Sequence, residues 1–166
     1  EKWIRIAFKK KRSKFGVSQT PAGIKERTCL DYITGETIIF DSKLEKQYYD
    51  QVVIKGIKDG VITKYQLQKS YKLQPSFKYQ GKTIREITYV SDFDIWYKDG
   101  SFIVVDVKGK ATSDAKIKRK MVHYYYPDMN FVWMSFTKAT GWVEYDELEK
   151  IRRQNKKNKF NKSEDK

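Results

Sequence analysis

The apolar and polar positions of this chain fall into short blocks whose spacing predicts most of its elements. Residues 28–33 and 37–40 are rich in β-branched and aromatic residues and flank Thr34-Gly35-Glu36, a pattern that predicts a hairpin. Asp41-Ser42-Lys43-Leu44-Glu45 opens a helix. Leu44, Tyr48 and Val52 recur at four-residue spacing and form one apolar stripe, and Gly56 or Gly60 ends it. Two β-leaning stretches follow, at 61–67 and 71–77, with Pro75 marking an edge or an irregular position. Tyr79-Gln80-Gly81-Lys82 reads as a turn, residues 84–97 as one long strand, and Lys98-Asp99-Gly100 as a second tight turn.

Phe102-Ile103-Val104-Val105-Asp106-Val107 is almost continuously apolar, as expected of a central strand. Residues 113–125 read as a basic helix stopped by Pro127, 131–136 as another buried strand, and Asp146-Glu147-Leu148-Glu149 as the start of a last helix. The order is helix, strands, helix, strand, helix, without internal repeats, which predicts an α/β fold around a mixed sheet. Three segments are expected: a basic N-terminal arm (1–27), a folded domain (28–149) and a basic helix end and tail (150–166).

Charge sharpens this picture. The 166 residues carry 35 Lys and Arg against 21 Asp and Glu, a net charge of +14. Residues 1–14 hold seven basic residues and one acid, and residues 150–166 hold eight basic residues and two acids. The excess positive charge therefore sits at the two ends. Lys9, Lys10, Lys11 and Arg12 at one end, and Arg152 and Arg153 at the other, are suited to hold the backbone of a polyanion by releasing its counterions. Solubilising tails or a membrane-surface patch would show similar charge, but no amphipathic apolar face accompanies it. No apolar run approaches the about 20 residues that span a bilayer, and no signal peptide is visible, so a cytoplasmic protein is expected.

Cys29 and His123 are the only residues of their kinds. An intrachain disulfide and a Cys/His zinc site are thereby excluded. A metal, if bound, must be held by carboxylates, which favours Mg²⁺ or Mn²⁺.

The strand pattern brings particular acids together. Side chains alternate faces along a strand, so Asp106 and Lys108 share one face. If the turn at Lys98-Asp99-Gly100 is a three-residue loop, Tyr97 pairs with Ser101 and Asp92 lies opposite Asp106, with Cβ atoms about 5 Å apart; a two-residue Asp-Gly turn shifts the pairing by one and weakens this geometry. Facing carboxylates recruit a cation or raise a pKa. A divalent ion between them, with the Val107 backbone carbonyl as a further ligand, would polarise a phosphate and activate a water. Lys108 would orient that water or stabilise the developing charge. Asp94 is a lesser ligand candidate on the same face. By itself, Asp-x-Lys at a strand end is ordinary surface charge; its delivery by a strongly apolar strand in a basic protein gives it weight.

Glu45 has a simpler local role, because Ser42-Lys43-Leu44-Glu45 is a capping-box pattern in which Glu45 bonds back to the Ser42 backbone. Lys116, Lys118, Arg119 and Lys120 on the later helix either meet phosphates or form a solvated face, and Lys116 and Lys120 share one face at four-residue spacing. Tyr124-Tyr125-Tyr126, Trp96 and Trp133 read as core, and His123 as a polar helix residue.

These residues also resemble a known family. Phe40-Asp41-Ser42-Lys43-Leu44-Glu45, Leu73-Gln74-Pro75-Ser76-Phe77, Ile87-Thr88-Tyr89-Val90-Ser91-Asp92-Phe93 and Val104-Val105-Asp106-Val107-Lys108-Gly109 are similar in order and spacing to the phage and prophage PD-(D/E)XK endonucleases long filed as a domain of unknown function. The similarity covers roughly residues 30–150. It implies a restriction-endonuclease-like αβββαβ core and Mg²⁺-dependent cleavage of DNA. Asp92 then matches the first half of the motif, although Ser91 stands where the superfamily has Pro. Asp106 and Lys108 match the second half, and Glu45 matches a helical acid near the metal, a role that competes with capping.

The resemblance further implies branched recombination or replication DNA as substrate, as for Holliday junction resolvases, a homodimer, a bacterial host cytoplasm, and a phage replication or recombination partner. Two alternatives stay open: a non-catalytic nucleic-acid-binding module on the same fold, and a nuclease subunit whose specificity comes from a partner.

Overall fold

The computed structural model describes residues 18–164, with side chains described as far as residue 158. It divides into two compact units, residues 1–47 and 48–166.

The first unit contains α1 (Pro21–Lys25), β1 (Thr28–Leu30) and β2 (Thr37–Ile39), followed by the start of α2 (Lys43–Tyr48). β1 and β2 pair antiparallel, Thr28 opposite Ile39, as the hairpin pattern predicts. Arg27 is buried at its base, where its guanidinium donates to the carbonyls of Gly23 and Phe40. That placement satisfies a charged group by backbone oxygens rather than by a carboxylate.

In the second unit the helical segment continues as a π-helical stretch (Tyr49–Ile54) and α3 (Lys55–Lys58). The wider turn carries the buried face onto Tyr48, Tyr49 and Val53, whereas Val52 of the predicted stripe is half-buried. The helix ends at Gly60, whose φ of +69° favours a residue without Cβ.

Five strands form the central sheet. They are β3 (Ile62–Leu67), β8 (Phe93–Tyr97), β9 (Phe102–Val107), β10 (Phe131–Thr137) and β11 (Gly141–Glu144), in the order β11-β10-β9-β8-β3. β9 is the middle strand, as its apolar run predicts. It pairs antiparallel with β8 and parallel with β10, so the sheet is mixed and the protein is α/β. α4 (Ser113–Tyr125) makes the crossover from β9 to β10, and α5 (Tyr145–Glu164) follows β11. β11 has no counterpart among the elements predicted from sequence.

The predicted long strand over residues 84–97 is three strands, not one. β6 (Lys82–Ile84), β7 (Ile87–Val90) and β8 are separated by breaks, and their partners β5 (Phe77–Tyr79), β4 (Ser70–Gln74) and β3 are broken at the matching places. The pairing nonetheless keeps one register from Lys64 opposite Trp96 to Lys72 opposite Thr88, shifts by one residue at a bulge between Lys72 and Gln74, and ends at Tyr79 opposite Lys82. Residues 62–97 are therefore one long antiparallel ribbon with two kinks. Its turn is Gln80-Gly81, both with positive φ (48° and 75°), the conformation that joins strands through two residues.

The base of the ribbon lies in the sheet. Its middle carries Tyr71, Leu73 and Tyr89 into the core with Val104, Val122, Phe131, Trp133 and Tyr145. Its tip is different, because every residue from 75 to 86 is exposed. Phe93→Ala, at a site with no exposure, should cost about 3–5 kcal/mol in urea unfolding. Ile84→Ala, near the tip, should fall within about 0.5 kcal/mol of the parent.

Candidate active site

Asp92 stands at the first kink of the ribbon. The kink is fixed by backbone bonds on both sides. Ser91 N–H donates to Lys69 O (3.0 Å), Gln68 N–H to Asp92 O (3.3 Å), and Asp92 N–H to Val105 O (3.1 Å). The turn at 98–100 has the expected three-residue form, with Tyr97 N–H donating to Ser101 O and the ladder running from Trp96 opposite Phe102 to Phe93 opposite Val105. One step further in that register brings Asp92 level with Asp106. Asp92 is half-buried, and its Oδ2 accepts from Val107 N–H at 2.6 Å, which ties the acid to the strand bearing the other two residues.

Asp106 lies in the middle strand and is buried. Its Oδ1 accepts from the Tyr89 hydroxyl at 2.6 Å, and that hydroxyl accepts from Trp133 Nε1–H at 3.0 Å. Burial, and then the adjacent Asp106 charge, push the Tyr89 phenol far above its ordinary pKa. Tyr89 therefore stays protonated and can only donate to Asp106. Asp106 Oδ2 makes no hydrogen bond although it is buried; Lys108 Nζ forms an ion pair with it. The ammonium compensates the charge without supplying an aligned bond. Lys108 also lies 5.4 Å from the centre of the Trp133 ring, and Trp133 is level with Asp106 on the parallel neighbour β10. The three predicted residues thus gather at one end of the β8–β9 pair, and Tyr89 and Trp133 join them without any local sequence signal.

The donors there are all oxygen, and one buried carboxylate oxygen lacks a hydrogen bond, which fits a hard divalent cation. Among the described residues no group of three or more His, Cys, Asp or Glu side chains converges as a metal cluster. A cation here would rest on the two aspartates, main-chain oxygen and water.

The other expected residues have varied places. Asp94 is fully buried and committed: Tyr71 and Ser91 hydroxyls donate to its two oxygens, and Lys69 Nζ lies 3.3 Å away. It clamps the kink rather than offering oxygens to a ligand. In the first unit, Glu45 caps its helix by a different route from the expected one. Its carboxylate accepts from the Asp41 N–H (3.1 Å) and the Ser42 hydroxyl (2.7 Å), while its own N–H donates to Ser42 Oγ.

On α4, Lys118 donates to the Thr88 carbonyl (2.8 Å), which pins the ribbon to the helix. Arg119 makes a two-pronged pair with Asp146 (2.9 and 2.7 Å), its guanidinium lies 4.5 Å from the Trp133 ring centre, and its Nε is buried without a hydrogen bond. Lys116 and Lys120 are exposed. Arg152 pairs with Glu149 at 2.7 Å, and Arg153 is exposed. Lys9, Lys10, Lys11 and Arg12 lie outside the described residues. Trp96 is half-buried, and Tyr124 and Tyr125 are exposed rather than packed.

Between α4 and α5 runs a groove of about 500 Å³ whose floor includes Trp133 and whose walls carry Lys116, Lys120, Lys150 and Arg153. Asp146, also in this groove, is held below its usual pKa chiefly by the Arg119 hydrogen bonds. His123, which also lines the groove, is held below its usual pKa by desolvation and then by Arg119. The groove is basic, and Trp133 links it to Asp106 and Lys108.

No helix among the described residues is long and apolar enough to cross a membrane. No curated protein and no solved structure matches the chain significantly. A family model does match, over residues 29–141, a span that holds Glu45, the kinked ribbon, Asp92, Asp106, Lys108 and α4. The chain belongs to that family, described as a protein of unknown function (DUF1064).

Proposed function

We propose that this protein is a divalent-metal-dependent endonuclease that hydrolyses DNA phosphodiester bonds. The observation that carries the reading is the end of the β8–β9 pair, where Asp92 stands level with Asp106 and is tied to the Val107 N–H, and Lys108 ion-pairs with a buried Asp106 oxygen that has no hydrogen bond. The chain order also supports it. The helical segment at 43–58, β3, β8, β9, α4 and β10 follow the αβββαβ succession of restriction-endonuclease-like nucleases.

In this reading Asp92, Asp106 and the Val107 carbonyl hold Mg²⁺ or Mn²⁺. The bound ion supplies Lewis-acid polarisation of the phosphate and lowers the pKa of a coordinated water. The protein's own groups do the rest. Tyr89 fixes Asp106 through Oδ1, and Lys108 is paired at Oδ2. Lys108 provides a fixed positive charge where negative charge develops on the phosphate. Lys116, Lys120 and Arg153 hold the flanking backbone along the groove. Glu45 is left out of the ligand set because both its oxygens serve the helix cap. The preferred substrate is branched recombination or replication DNA. The protein is encoded by a phage and acts as a homodimer, since symmetric cutting of two strands calls for two sites.

Three measurements test this reading. Plasmid and four-way-junction DNA incubated with Mg²⁺ or Mn²⁺ should be cut by the parent protein and not in EDTA. Asp106→Ala and Lys108→Ala should lower the cleavage rate by at least about 100-fold while DNA binding persists. Cutting that survives in both variants removes the site assignment, and binding without cutting in the parent makes the protein a binding module.

Thermal melting gives a second, activity-free readout. Mg²⁺ or Mn²⁺ should raise the melting temperature of the parent, and more so that of Lys108→Ala, where a cation replaces the missing partner of Asp106. The Asp106→Ala variant should show no such rise.

The groove is tested by salt dependence. Replacing Lys116, Lys120 and Arg153 together by Ala should weaken binding to all DNA sequences alike. It should also flatten the log–log salt slope by up to about 0.9 for each phosphate that is no longer neutralised.

A further inference from the structure

The nuclease reading leaves one prominent feature without a role: the tip of the ribbon. Hairpins of three-residue strands are marginal in water unless something covers them. Here β5 and β6 are exposed on both faces, yet they carry a large apolar surface. Phe77 is 45% exposed, Tyr79 60% and Ile84 39%. Pairing puts these residues on one face, because Phe77 lies opposite Ile84 and Tyr79 opposite Lys82. Lys78 and Thr83 take the other face. No acid occurs from residue 75 to 85, while Lys78, Lys82 and Arg85 are all exposed there. Glu86, the first acid beyond, is paired with Lys72 at 3.7 Å.

We propose that the β5–β6 tip is a base-stacking wedge that takes unpaired or splayed nucleotides of a DNA substrate, with Phe77 and Tyr79 against base faces and Lys78, Lys82 and Arg85 along the adjoining phosphates. The wedge rests on DNA being the substrate. Aromatic faces interleaved with cations suit single strands, because each base offers a ring face once it is unstacked and each linkage a negative charge. In an intact duplex those faces are hidden. A second copy of the chain meeting this face with its own is a poorer occupant, since the face offers no acid to oppose Lys82 and Arg85.

The ribbon also relates the tip to the chemistry. Tyr79 lies opposite Lys82, which is seven residues along the arm from Tyr89, the residue that holds Asp106. That is at most about 25 Å of extended chain, or a few nucleotides of stretched single strand. Unpaired bases held at the tip therefore lie within reach of Asp92 and Asp106, which assigns the protein to DNA with a branch, flap or gap.

The test is binding in EDTA, where nothing is cut, followed by fluorescence anisotropy on a single strand, a four-way junction and an intact duplex. Phe77→Ala/Tyr79→Ala should lose at least about tenfold in affinity for the single strand and the junction and stay within about twofold on the duplex. Phe77→Tyr/Tyr79→Phe, which keeps both ring faces, should bind like the parent. Melting curves should coincide for all three proteins.

Unchanged affinity of the alanine pair for every DNA overturns the wedge, and if the parent cuts DNA with Mg²⁺ the nuclease reading stands without it. An equal loss on all three DNAs with a lower melting temperature overturns it as well, and makes the aromatics structural. A shift in mass by sedimentation, with DNA affinity intact, also overturns it and makes the tip an interface between copies. The predicted selective loss in a protein that cuts no DNA with any metal supports the wedge and removes the nuclease reading.

Discussion

Burying Asp106 in the middle strand is the constraint around which the second unit is arranged. A carboxylate withdrawn from water costs several kcal/mol even after relaxation. A hydrogen bond to a charged group returns about 1.5–3 kcal/mol. The Tyr89 hydroxyl alone therefore does not offset the cost, and the Lys108 ammonium is required as well. Each compensation fixes another element. Tyr89 must come from β7, so the ribbon must fold back over the sheet. Lys108 must end β9 on the Asp106 face, which the two-residue repeat of a strand ensures. Trp133 must sit level with Asp106 on β10 to hold Tyr89 and carry the Lys108 and Arg119 cations near its ring. A site and a core have thereby been built from the same side chains.

The ribbon divides the labour. Its base supplies β3 and β8 to the sheet, its first kink presents Asp92, its middle supplies Tyr89, and its tip stands clear of the core. The kink is not a loose joint. Backbone bonds cross it in both directions, and the buried Asp94 draws Tyr71, Ser91 and Lys69 together beneath it. An acid that must meet another across a strand pair is held best where the backbone around it has no freedom to drift.

Much of this was legible in the residues, and the limits of that legibility are physical. The register across Lys98-Asp99-Gly100 hung on whether the turn takes three residues or two, and the bond from Tyr97 N–H to Ser101 O decides for three. The β9 centre and the α4 stop at Pro127 followed from composition. The breaks within 84–97 did not, because their cause is pairing with residues 68–76, distant in sequence. The helical stripe was displaced because periodicity arguments assume 3.6 residues per turn, and a six-residue π-helical stretch does not obey it. Tyr89 was invisible as a partner of Asp106, since nothing local marks which tyrosine will meet a carboxylate 17 residues later. On α4, four-residue spacing put Lys116 and Lys120 on one face, and both stand in solvent, whereas the commitment of Lys118 and Arg119 to Thr88 and Asp146 depends on packing that spacing does not show.

The bulges and short strands have a consequence for crowding. Unpaired strand edges are templates on which neighbouring molecules add by hydrogen bonding. High local concentration is the condition in which such addition becomes harmful. Here the outer strand β3 is interrupted by a bulge between Ile62 and Lys64 and bears exposed Lys64 and Gln66, β11 is only four residues long, and Pro75 interrupts the arm before its tip. The chain thus limits its own tendency to polymerise edge to edge, and it can be concentrated without seeding a cross-β aggregate.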